Sequence, residues 1–380
     1  EVSVLQPRSA GPAGPAGPVG SVGVVTTQRA VLTEHGPLRL ASGAELAHVE
    51  VAYETYGELA PARDNAVVVC HALTGDAHAA GWHEGDRRPG WWDNLIGPGR
   101  AIDTDRFFVI CANLLGGCSG TTGPQSVDPR TGRVHGPDFP ALDVADLVTA
   151  HRGLLDHLGI ERLHAAVGGS LGGMQVLEWA LQEPDRIDRA VLVAASSRLT
   201  AENIAFSSVA RAAILEDPDF HGGRYADHGT SPRHGLKVAR MLAHITYVSP
   251  ASLEDKFGHR RATSGTDKRL DSDFAVEDYL QHQGESFLRR FDALSYLHLT
   301  RPMDYFDPFG AHPGVVPSTR FRLVSFDSDW RFPTAHSLRI RDELSARGAV
   351  VDHTEISSPW GHDSFLLEPP GYHDLVRASL

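Results

Sequence analysis

Residues 163–182, LHAAVGGSLGGMQVLEWALQ, restrict the fold more than any other stretch of the chain. A short apolar run, LHAAV, leads directly into Gly168-Gly169-Ser170-Leu171-Gly172. A helical pattern follows, starting near Leu171 and ending before Pro184. Gly-x-Ser-x-Gly between a buried strand and a helix is the pattern of a nucleophile elbow, in which a sharp turn exposes the serine hydroxyl. Small residues two positions to either side relieve crowding between strand and helix. The bland alternative is a glycine-rich turn that holds a phosphate.

The flanking segments extend this unit into a larger pattern. AVVVC (66–70), FFVIC (107–111) and AVLVA (190–194) are continuous apolar runs, as expected of strands covered on both faces. HVEVAYETY (48–56) alternates with a two-residue period and predicts a half-buried strand. Val144, Leu147, Val148, His151, Leu155 and Leu158 recur at helical spacing between Asp143, a candidate N-cap, and Gly159, a candidate stop. Strand and helix alternate, so the sheet is expected to be mostly parallel with helices on both faces. The alternation stops near Ser197 and returns at RFRLVSF (320–326), which is followed by a helix over 334–347 and the strand AVVDHTEI. Between these points TAENIAFSSVARAAIL, GLKVARMLAHITY and AVEDYLQHQGESFLRRFDALSYL read as helices. With the elbow, this predicts an α/β-hydrolase fold carrying an inserted helical lid. The expected divisions are a Gly/Pro/Ala-rich flexible leader over 1–22, a catalytic domain over 23–197 and 313–380, and the lid over 198–312.

The 380 residues are 41% hydrophobic and 22% charged, an ordinary soluble-enzyme composition with enough chain for a large core. A formal charge of −13 disfavours nucleic acid and anionic membranes as partners, and obliges any anionic substrate to find a local basic site. No apolar run approaches the ~20 residues of a spanning helix. Three cysteines cannot all pair internally and no cleavable leader is evident, so a cytoplasmic setting is expected.

A serine needs a base, and the base needs an orienting carboxylate. In this fold the chain order is Ser, acid, His. SFDSDWRFP offers Asp327 and Asp329 at the end of a predicted strand. Asp329, four residues before Pro333, is the preferred acid, with Asp327 as a turn cap. His362, in SSPWGHDSFL, follows the last predicted strand and a glycine, and is the expected base. The oxyanion hole is expected to combine the N–H of Leu171, at the helix start, with that of Leu73 in CHALTGDAH, after AVVVC. His71, Asp76, His78 and His83 show none of the compact metal-site motifs, so no metal is expected. Cys70, Cys111 and Cys118 read as packed residues.

With HALTG, GGCSGTTGP (116–124), GGSLGGMQ (168–175), SRLTAENIAF, FDALSYL, SDWRFP and GHDSFL in order, the chain resembles the homoserine O-acetyltransferases from about Val25 to its end. The resemblance implies ping-pong transfer of acetyl from acetyl-CoA, as co-substrate, to the γ-hydroxyl of L-homoserine in methionine synthesis, with no bound cofactor. It also implies Arg240 as partner of the homoserine carboxylate, Asp363 as partner of its ammonium, Tyr247 at the entrance, and a homodimer formed through the lid helices. Serine O-acetylation, homoserine O-succinylation, plain ester or thioester hydrolysis, and a non-catalytic binding protein are the alternatives.

Overall fold

The computed structural model describes residues 20–262, 268 and 270–380. Eight strands form the central sheet: β1 (Gln28–Val31), β2 (Glu50–Tyr56), β3 (Ala66–Cys70), β4 (Phe108–Ala112), β5 (Leu163–Gly169), β6 (Ile187–Val193), β7 (Arg320–Phe326) and β8 (Val350–Ile356). Their spatial order is β1-β2-β4-β3-β5-β6-β7-β8. All neighbours from β4 to β8 pair in parallel, while β2 is antiparallel to both β1 and β4. The continuous apolar runs are covered on both sides. Val67, Val69, Val109, Val167, Val191 and Val193 enter one apolar cluster, and Val68, Cys70, Ile110, Ala166 and Leu192 enter the other. That split follows from the two-residue period of a strand.

Helices α1 (Val144–His157) and α2 (Leu171–Gln182) pack against each other, and α2 lies on β3, β5 and β6. Asp143 and Asp146 form a reciprocal capping box at the start of α1, and Gly159 turns the chain out at φ +67°. Between β6 and β7 come α3 (Ala201–Leu215), α4 (Arg233–Tyr247), α5 (Pro250–Phe257), α6 (Ala275–Phe287), α7 (Ala293–Tyr305) and the short α8 (Pro308–Ala311). In this inserted group α4 packs on α3 and α6. After β7 follow α9 (Thr334–Ala346) and α10 (Tyr372–Ser379). No described helix is long and apolar enough to cross a membrane.

Three expectations need correction. Residues 1–19 of the expected leader lie outside the described residues, but Gly20–Val22 are docked. The Gly20 carbonyl accepts a 2.8 Å hydrogen bond from Arg100 Nε, and Val22 packs on the core. Strand β2 has no half-solvated face, since Val51, Ala52, Tyr53, Glu54 and Tyr56 are all buried. Its polar position is filled by a buried carboxylate, Glu54, whose partners come from a distant loop. The stretch 275–297 is not continuous helix. Asp292 accepts a hydrogen bond from Ser295 N and so starts a new helix after the break at 288–292.

Candidate active site

Ser170 stands between the end of β5 and the start of α2, with φ +56° and ψ −124°. A non-glycine residue there stores about 1–3 kcal/mol of strain, held by the surrounding packing. Its N–H donates to the Val193 carbonyl at 2.9 Å, which ties the turn to β6. The turn is that tight because α2 starts almost in contact with β3: a Cβ on Gly172 would sit 2.0 Å from the Cys70 carbonyl oxygen.

His362 lies in a 3-10 turn (Gly361–Leu366) after β8, with its Nε2 2.8 Å from Ser170 Oγ and its Nδ1 2.7 Å from Asp329 Oδ2. All three side chains are buried. Asp329 Oδ1 accepts hydrogen bonds from the N–H groups of Arg331 and Phe332, so one carboxylate oxygen is fixed by backbone and the other faces the imidazole. Asp327 points elsewhere. It accepts from Ser358 N at 2.9 Å, and that hydrogen bond, with others from the Ser357 and Ser328 region, holds its carboxyl below the usual range. Asp329 is thus the acidic neighbour of His362, and Asp327 caps the turn. Gly361 serves close approach rather than freedom of the loop: at φ +70°, an added Cβ would sit 2.5 Å from Ser249 N.

The loop after β3 faces the elbow. Gln175 Nε2 donates to the His71 carbonyl at 3.1 Å, while Gln175 Oε1 meets His151 Nε2 at 2.8 Å, so α2 and α1 hold the loop from below. The N–H groups of Leu73 and Leu171 have no acceptor among the described residues. Two unengaged donors at the head of α2 suit a developing negative charge.

The inserted helices supply the opposite wall. On α4, Leu236, Ala239, Arg240, Ala243 and His244 share the buried face, so two polar residues occupy positions that a purely apolar stripe would fill. Arg240 donates to Thr74 Oγ1 at 3.1 Å and stacks over Phe287 at 4.6 Å, and its buried Nε has no partner. Tyr247, at the end of α4, lies 6.1 Å ring to ring from His362 and 5.8 Å from the Arg240 guanidinium. Asp363 has no side-chain hydrogen bond among the described residues, and burial pushes its carboxyl up to about 6, although His362 and Arg240 pull the other way. The site therefore offers an under-used guanidinium and an unpaired carboxyl near the Ser170 hydroxyl. That pairing complements the carboxylate and ammonium of an amino acid. Sequence reasoning missed Arg290, whose guanidinium also lies over the Phe287 ring, at 5.3 Å, and donates to the Thr74 carbonyl at 2.7 Å. It also missed Tyr279, whose hydroxyl meets His244 Nδ1 at 3.3 Å. Neither position stands out in a helical pattern, where arginine and tyrosine are ordinary surface residues.

Of the histidines in the loop after β3, His78 and His83 come together and His71 stands apart. His71 Nδ1 meets the Ala72 carbonyl at 2.7 Å, whereas His78 Nδ1 and His83 Nε2 converge on the Glu54 carboxylate at 3.0 and 2.6 Å. The two rings stack at 3.8 Å. The ligand-capable atoms of Glu54, His78 and His83 fall within 4.8 Å of one another. Burial pushes the Glu54 carboxyl up, but the hydrogen bonds from His78 and His83 outweigh this and hold it below the usual range. Burial likewise lowers His78, yet the Glu54 bond and charge raise it overall. These contacts to Glu54 fasten the loop to β2.

The α/β-hydrolase fold model matches residues 65–369. A homoserine O-succinyltransferase from a Nocardioides species is 65% identical over 94% of this chain and 98% of its own length. A homoserine O-acetyltransferase from Rhodospirillum rubrum is 50% identical over 93% and 92%. The chain belongs to the homoserine O-acyltransferase family of α/β hydrolases. Among solved structures, a homoserine O-acetyltransferase from Bacillus anthracis superposes with a TM-score of 0.86 at 26% identity, covering 94% of this chain and 97% of its own. Esterase E22 superposes at 0.85 with 25% identity, covering 93% and 99%. Acyl transfer and ester hydrolysis thus share this architecture, and within the family both acetyl and succinyl donors occur among the relatives.

Proposed function

We propose that this family member transfers acetyl from acetyl-CoA to the γ-hydroxyl of L-homoserine through an acyl-serine intermediate, using Ser170, His362 and Asp329. The observation that carries the reading is the hydrogen-bonded series Ser170–His362–Asp329, with Asp363 beside the imidazole and within the electrostatic reach of Arg240. His362 removes the Ser170 proton as Oγ attacks the thioester carbonyl, and the Leu73 and Leu171 N–H groups receive the oxyanion. CoA leaves with the proton from His362. Homoserine then binds with its carboxylate on Arg240 and its ammonium on Asp363, beside Tyr247. His362 takes the γ-hydroxyl proton, the alkoxide attacks the acyl-serine, and O-acetylhomoserine departs as Ser170 regains a proton. Asp329 keeps the imidazole in the tautomer and orientation that both halves need.

The same reading extends to a homodimer through the lid. Val209 and Leu215 on α3 and Val238 and Ile245 on α4 are exposed, and the two helices pack side by side. Val238 and Ile245, seven residues apart, lie on one face of α4, and exposed apolar residues on one face favour a covered surface.

Succinyl transfer is the second reading, favoured by the Nocardioides relative at 65% identity. The deciding experiment follows free CoA thiol from acetyl-CoA or succinyl-CoA, each with L-homoserine, with L-serine, and with no acceptor. Sustained release with acetyl-CoA and homoserine alone is expected. Preference for succinyl-CoA would transfer the assignment to the second reading. Equal release without acceptor would make the protein a thioesterase.

A further inference from the structure

Acyl-CoA is a polyanion and the chain carries a net charge of −13, so the donor's phosphates require a place where cations are left over. A cleft of about 760 Å³ beside the break between α6 and α7 meets that requirement. We propose that it binds the phosphorylated nucleotide end of the acyl-CoA donor, an inference that rests on acyl-CoA being the donor. Arg289 and Arg290 form one wall, and the loop carrying Cys118, Gly120 and Thr121 forms another.

Neither arginine has an ion-pair partner among the described residues. Arg289 donates only to Ser286 Oγ within its own turn, at 3.1 Å. Arg290 donates to the Thr74 carbonyl, and burial pushes its guanidinium down to about 10, so it remains charged at neutral pH. The acids on the cleft are already engaged. Glu50 pairs with Arg29, and Asp292 accepts from Ser295 N and the Tyr225 hydroxyl. On the facing loop, the N–H groups of Cys118, Gly120 and Thr121 have no acceptor among the described residues. Guanidiniums opposite unengaged backbone donors are the chemistry of a phosphate site.

Reach agrees with charge. Ser170 follows β5, and Arg29, which lines the cleft, lies on β1, four strands away in the order β5-β3-β4-β2-β1. At ~4.8 Å per strand the lateral distance is roughly 19 Å. The pantetheine arm, with two amide units, has the extended length of about five residues, roughly 17 Å, which is close to that span. Arg290 joins the two regions directly, because the carbonyl it holds belongs to the residue after Leu73. A second arginine-lined cleft, at Arg198, Arg339 and Arg347, has no such tie to the loop after β3. There Arg347 donates to the carbonyls of Phe309, His312 and Val315, and Arg339 to that of Arg198.

The test compares acetyl-CoA with the truncated donor S-acetyl-N-acetylcysteamine, which has no nucleotide, in the wild type, Arg289→Ala and Arg289→Lys. The expected result is a rise of about tenfold in KM for acetyl-CoA in Arg289→Ala, partial recovery in Arg289→Lys, and a matching fall in selectivity for acetyl-CoA over the truncated donor. Adenosine 3′,5′-bisphosphate should compete with acetyl-CoA in the wild type and lose that competition in Arg289→Ala. Unchanged KM for acetyl-CoA, or equal loss with both donors, overturns the inference. Absence of transfer to homoserine from either donor in the wild type overturns the acyl-transfer reading itself, and this inference with it.

Discussion

At the scale of single residues, the geometry around His362 separates groups that the sequence leaves side by side. Asp329→Asn is expected to lower kcat by roughly 10⁴-fold, because the amide favours the wrong imidazole tautomer, and Ser170→Ala by at least about 10³-fold. Asp327→Asn should leave steady-state kinetics within about twofold, since that carboxylate meets the Ser358 N–H and not the imidazole. Loss confined to Asp327→Asn would refute the assignment of the acid. Asp363 gives a pH prediction with a definite sign. Its folded carboxyl titrates at about 6, raised by burial. As the proposed ammonium partner it works ionised, so KM for homoserine should climb as pH falls through about 6 while KM for the donor does not. A raised folded value also means that its contribution to stability is present below the unfolded pKa of about 4 and is lost as pH rises through about 6. Asp363→Asn should therefore flatten the acceptor pH profile and, at pH 7, keep or raise the melting temperature. A melting temperature several degrees lower would exclude that account.

At the scale of elements, the loop after β3 is held from two sides, and its stability should depend on pH through Glu54 and His78. His78 is raised by its contact with Glu54, so its share of stability is complete below about pH 6.5 and declines as pH rises through the higher folded value. Glu54 is lowered, so its share is present above about pH 4.3 and is lost as pH falls through the depressed folded value. Thermal unfolding followed by circular dichroism should show a plateau between these limits and a decline on the alkaline side. Glu54→Gln should lower the plateau and remove that decline. An unchanged profile in Glu54→Gln would mean that the cluster does not fasten the loop. The lid is joined to the acid loop in a comparable way: Asn203 Nδ2, in the first turn of α3, donates to the Arg331 carbonyl at 2.8 Å, and Trp330 Nε1 donates to the Val248 carbonyl at 3.0 Å. The inserted helices thus bear on the position of Asp329 as well as on access to Ser170.

At the scale of the whole molecule, the proposed lid-to-lid dimer is open to sedimentation velocity. The wild type should run as a dimer at micromolar concentration, and Val238→Glu with Ile245→Glu should shift it to monomer, because charge at the centre of a covered apolar patch is desolvated without a partner. A wild-type monomer would dispose of the proposal. Much of the architecture was legible from local pattern. The apolar runs, the helix over 144–157 and the elbow at Ser170 depend on near-neighbour spacing, and spacing is what a sequence displays. The chain order of Ser170, Asp329 and His362 was legible for the same reason. The burial of Glu54 was not, since a charged residue in an alternating strand predicts a wet face until His78 and His83 arrive from another loop to neutralise it. Arg290 and the cleft beside it were likewise hidden, because an arginine at the end of a lid helix acquires a role only when folding sets it against Thr74. The sequence by itself determined the central strands, most of the helices and the strained turn at Ser170, all of which follow from contacts between close neighbours. Only the tertiary structure decided which carboxylate meets His362, which polar residues are buried and which cations remain unpaired, because each of those depends on what residues far apart in the chain bring to the same desolvated place.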